Sequence, residues 1–142
     1  MPIPNSRTLL TMICLISGPA TLHAQNLAFH ATMSPANEVV PSHSTGTGEC
    51  DLTLDATSHL LHYTLIWSGL TGPATMAHFH GPAKAGVAAP VALPLKGVMT
   101  SPLIGSATLT AQQQADLTAG LWYCNVHTEA NPKGELRGQL AP

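Results

Sequence analysis

"GECDLTLDATSHLLHYTLIWSGL", residues 48–70, holds two runs of alternating character on either side of a polar turn. In the first, Cys50, Leu52 and Leu54 fall on one face and Glu49, Asp51 and Thr53 on the other. In the second, Leu61, Tyr63, Leu65 and Trp67 form an apolar row that leaves His62 and Thr64 opposite. Successive side chains of a strand point to opposite sides, so a period of two marks strands with one buried face. The pattern recurs in "LAFHATM" (27–33), "ATMAHFH" (74–80), "APVALPL" (89–95), "IGSATLT" (104–110), "LWYCNVHT" (121–128) and "GELRGQL" (134–140), with Gly, Pro and Ser clusters between the runs. Many short strands of this kind predict an all-β antiparallel sandwich or barrel. One segment breaks the pattern. "TAQQQADLTAG" (110–120) sets Thr110 three residues before Gln113, follows with good helix formers and stops at Gly120, which predicts a single short helix.

The beginning of the chain reads differently. Residues 1–24 carry one cation, Arg7, then an apolar stretch from Leu9 to Ile16, then small residues toward a cleavage point after Ala24. This is the layout of a secretory signal peptide, and the apolar stretch is well short of the roughly 20 residues that cross a bilayer. Cys14 lies inside that stretch without the sequence setting of a lipid-modified cysteine. The expectation is a periplasmic or secreted protein whose single domain is residues 25–142. Within it Lys84, Lys96, Lys133 and Arg137 are the cations, set against seven acidic residues. Nucleic acids and anionic membranes are bound by basic surfaces, so neither is an expected partner.

Two cysteines remain after residue 24. Cys50 shares the apolar row of its strand, and Cys124 lies with Trp122 and Val126 on the apolar row of "LWYCNVHT". In an oxidising compartment a Cys50–Cys124 disulfide inside the core is the expectation, with two buried thiols as the alternative. His62, Met76, His78, His80 and His127 fall on outer rows, away from the cysteines. They form one site if their strands are neighbours, and periodicity does not reveal strand order.

Taken together, "AHFHGPA", "TGTGECDLTLD", "LHYTLIWSGLTG" and "GLWYCNVHTEANPKGELRGQL" closely resemble the CHRD domain, the chordin-type domain found in the animal developmental antagonist chordin and in many exported bacterial proteins. The resemblance spans nearly all of the chain beyond residue 24. It implies an immunoglobulin-like β-sandwich, distantly similar to that of copper-zinc superoxide dismutase, and no settled biochemical activity. The dismutase similarity implies that His78 and His80, as an HxH pair, and His127, in "NVHT", correspond to copper ligands. The bridging histidine and zinc-binding loop of the dismutases have no counterpart, because "GPAKAGVAAPVALPLKG" contains no His, Asp or Cys. This disfavours a dinuclear centre and dismutase catalysis, while the three remaining histidines leave a dismutase-like activity open.

Three imidazoles hold either copper or zinc, and a thioether such as that of Met76 shifts the preference toward copper, especially copper(I). His62 joins the set if its strand lies beside the HxH strand. Arg137 shares a polar row with Glu135 and Gln139; the dismutase similarity implies that it guides an anion, and a solvated strand face is the alternative. Glu129 and Glu135 read as solvated residues flanking the hairpin around "NPKG". No G-x-S-x-G elbow and no carboxylate pair in apolar surroundings points to nucleophilic or acid–base catalysis. The sequence thus leaves two readings: an exported protein with a mononuclear site, copper favoured over zinc, for copper handling or a redox role; or an extracytoplasmic protein-binding or structural module.

Overall fold

The structure, a computed structural model, describes residues 26–142. The expected signal peptide, residues 1–24, lies outside the described residues. Among the described residues, eight strands form two antiparallel sheets. One contains β1 (Asn26–Met33), β2 (Thr47–Asp55), β3 (Leu60–Ser68) and β6 (Leu103–Thr108), in that order. The other has the order β5 (Val91–Pro94), β4 (Ala74–His80), β7 (Tyr123–Thr128) and β8 (Leu136–Gln139). The fold is an all-β sandwich, and the described residues hold a single short α-helix, α1 (Ala111–Thr118). Thr110 caps that helix through the reciprocal pair with Gln113 that the sequence predicts.

The alternating rows meet between the sheets. Leu52, Leu54, Leu61, Leu65, Phe79, Trp122, Val126 and Leu136 are buried there, and each large apolar side chain so buried stabilises the fold by about 1.5–3 kcal/mol. Cys50 and Cys124 form the expected disulfide and tie β2 of the first sheet to β7 of the second.

The second sheet departs from the sequence reading on its outer face. Every residue of β7 is buried, including Tyr123, Asn125 and His127 on the row expected to face outward. Glu135 and Arg137 are also buried, at 0% and 2% exposure, so neither is a solvated strand residue. The reason is that two irregular segments fold back over this face. Residues 81–90 receive a hydrogen bond from Gln139 at the Ala83 carbonyl, from Arg137 at the Val87 carbonyl and from His80 at the Ala89 carbonyl. From the other side, Asn37 donates to the Arg137 carbonyl, Asn125 donates to Glu38, and Ser44 donates to Glu135.

Glu135 is the centre of the second set of contacts. Its carboxylate accepts from the Ser44, Thr71 and Thr128 hydroxyls, from the Thr71 backbone N–H and from Asn131. Burial pushes its pKa up, but the bonds from Ser44, Thr128 and Thr71 outweigh burial and hold it at about 2. A buried charge is tolerated when its lone pairs are satisfied in this way. The Glu135 carboxylate therefore anchors the 42–44 and 71 segments to the β7–β8 hairpin.

Candidate metal centre

The antiparallel register brings the outer rows of β4 and β7 together. His80 stands opposite Tyr123, His78 opposite Asn125 and Met76 opposite His127, and directly opposed residues point to the same face. His78, His80 and His127 each offer one ring nitrogen to a cluster whose atoms all lie within 4.8 Å of one another. Nδ1 of His78 is 3.1 Å from Nε2 of His127. His80 and His78 are half-buried and His127 is buried.

Two of the rings are held by backbone carbonyls. Nδ1 of His80 donates to the Ala89 carbonyl at 3.0 Å, and Nδ1 of His127 donates to the Pro132 carbonyl at 3.0 Å. A carbonyl only accepts, so each Nδ1 carries the proton and each Nε2 is left with a lone pair. Such a partner on the far nitrogen fixes both the tautomer and the orientation of a ligating imidazole. Nε2 of His80 is buried and finds no hydrogen-bond partner among the described residues, an uncommon state for a buried polar atom. The Tyr123 ring stacks against the His80 ring, parallel to within 1° at 4.9 Å between centroids, and fixes its remaining freedom.

All three imidazoles are held neutral. Burial, then the neighbouring His127 and His80, pushes His78 down to about 4. Burial lowers His80 and His127 as well, against the opposing effect of their bonds to Ala89 and Pro132. Neutral imidazole is the form that binds metal. An orphaned Nε2, two fixed tautomers and an uncharged trio suit a copper or zinc ion.

Local sequence explains the placement. Gly81 follows His80 where a Cβ would strike the Trp122 ring and come within 2.8 Å of the Leu121 carbonyl, so only glycine lets residues 81–90 turn tightly enough to return Ala89 to His80. Gly134, at φ +130°, performs the same service in the β7–β8 hairpin. A Cβ there would run into Asn125 and Glu38.

The family model of the CHRD domain matches residues 29–140, a span that includes all of both sheets except the start of β1, and all three histidines. The chain belongs to the CHRD domain family. No curated protein and no solved structure matches it.

Within this CHRD domain the expected ligand set is brought together in part. His78, His80 and His127 converge, and Met76 lies beside them in the ladder with 44% of its surface exposed. His62 does not join them. It lies on the exposed outer face of β3, paired with Thr53 and Ser106 in the other sheet, and the core of the sandwich separates it from the cluster. Residues that the sequence reading passed over include Glu38, Tyr123 and the carbonyls of Ala89 and Pro132. The one signal for the carbonyls was the proximity of Pro-containing loops to each histidine, in "HGPAKAGVAAP" and "VHTEANP".

Proposed function

We propose that this CHRD domain protein is exported, with residues 1–24 as its signal peptide, and that it acts in the periplasm or outside the cell as a copper-binding protein. His78, His80 and His127 are the proposed ligands of a mononuclear site, with Met76 as an additional soft ligand and zinc as the alternative ion. The observation that carries this reading is the buried, unpartnered Nε2 of His80 beside two further neutral imidazoles. In the metal-free chain the proton shared between His78 Nδ1 and His127 Nε2 resides on His78, because the His127 proton is committed to Pro132. For His78 to offer Nδ1 to an ion, that proton would have to move to its own Nε2, leaving the ring neutral. Copper held by imidazoles and a thioether would supply either a storage site or a one-electron couple.

The direct test is a copper(II) titration followed by electron paramagnetic resonance. The reading predicts an axial signal with imidazole nitrogen couplings, saturating near one ion per chain and lost in His80→Ala. A spectrum without nitrogen coupling contradicts it. The second reading, a protein-binding module, draws on the exposed Ile66 and Ile104 on the outer face of the first sheet.

A further inference from the structure

Beside the histidine cluster lies a cavity of about 310 Å³, large enough for a small organic molecule and bounded by Glu38, Val39, Val40, His80, Ala88 and Arg137, among others. Its polar wall is unusual in one respect. Arg137 is 2% exposed, yet no carboxylate lies within ion-pair distance of it; among the described residues the ion pairs are those of His30 with Glu49 and Asp51. The guanidinium lies 3.6 Å over the Tyr123 ring and gives one bond, to the Val87 carbonyl. A guanidinium has five N–H donors in a planar fork suited to a carboxylate. A buried arginine with donors to spare, facing a cavity, calls for an anion from outside the chain.

We propose that this cavity binds a small carboxylate, with its carboxyl group on Arg137 and a short apolar tail against Val39, Val40 and Ala88. The charge around the cavity favours this class. Lys133 adds a second cation to the lining. Glu38, the one acidic residue in it, is turned toward the amide of Asn125 rather than paired with Arg137. Burial pushes Glu38 up to about 7 against the opposing pull of Arg137 and the Asn125 bond, so near neutrality it is partly an uncharged O–H donor. An anion on Arg137 completes that protonation. The groups that face Glu38 from the surrounding elements are Arg137 on β8, Asn125 on β7, Lys133 in the β7–β8 turn and His80 on β4. Binding therefore tightens as pH falls through 7, where Glu38 loses its charge, and Glu38→Gln flattens that dependence.

The test uses the metal-free chain, so its result is separate from that of any copper titration. Calorimetric titration with butyrate should give saturable binding at one site, with acetate about tenfold weaker for want of two methylenes. Arg137→Lys should weaken butyrate at least tenfold. Because a buried arginine variant risks misfolding, Val40→Asp is measured beside it: Val40 is 78% exposed at the rim, and a carboxylate there should repel the ligand at least tenfold with an unchanged melting temperature. The proposal is overturned by absence of saturable butyrate binding, by equal affinity in Val40→Asp, by inorganic phosphate binding as tightly as butyrate, or by binding that occurs only after copper is added.

Discussion

Nδ1 of His78 lies 3.1 Å from Nε2 of His127, across the β4–β7 pair. Two neutral imidazoles at that separation share one proton, and the spacing is what two ligands of one ion adopt when each is about 2.0–2.1 Å from it. Strand pairing sets this distance. It follows from the antiparallel register that puts Met76 opposite His127 and His78 opposite Asn125.

The contribution of each histidine should follow from its sheet. In a chelator competition, His80→Ala and His127→Ala should weaken copper binding beyond the 10–100-fold that loss of an outer-shell partner brings. His62→Ala, on the opposite sheet, should leave affinity unchanged and stability within about 0.5 kcal/mol of the parent. A loss in His62→Ala matching that in His80→Ala would refute the geometry.

Met76 separates the two oxidation states. Met76→Leu keeps the apolar volume and removes the sulfur, so copper(I) affinity should fall about tenfold while zinc affinity is preserved. Equal losses for both ions would show that the side chain acts by packing alone.

Glu135 makes stability depend on acid. Its folded-state pKa of about 2 lies below the ordinary value of 4.5, so the unfolded chain binds more protons between those values. The contribution is fully present above about pH 4.5 and is lost as pH falls toward 2. Urea unfolding of Glu135→Gln should show a deficit on the order of 2–3 kcal/mol at pH 7 that shrinks progressively below pH 5. A deficit that is constant from pH 7 to pH 3 would contradict this account of the buried carboxylate.

The disulfide closes a sequence separation of 74 residues. In the chain-entropy description its loss costs about 4 kcal/mol. The Cys50→Ala, Cys124→Ala double variant should therefore unfold at markedly lower urea, while copper uptake by the folded fraction persists, because the cysteines face the core and the histidines the other side.

Much of this architecture is written locally. The alternation in 48–70 specifies β2 and β3 with their buried faces, and Thr110 with Gln113 specifies the start of α1. The placement of Cys50 and Cys124 on apolar rows likewise anticipates their pairing. Alternation names a face but not a sheet, which is why it leaves the place of His62 conditional on strand order, and β3 lies in the opposite sheet. Nor does it say what covers a face. Glu135 and Arg137 have the pattern of solvated strand residues, and only the return of residues 35–44 and 81–90 over β7 and β8 buries them. Glu38 carries no local signal at all. Its environment is created by Asn125 and Arg137, which are distant in sequence and brought near by the sandwich.

The most direct measurement is metal content by elemental analysis. The chain without residues 1–24, and its His78→Ala, His80→Ala, His127→Ala triple variant, are loaded with copper(II), copper(I) or zinc and dialysed. About one copper per parent chain, and only trace metal in the variant, is the expected result. Equal metal in both would contradict a histidine site on the outer face of β4 and β7.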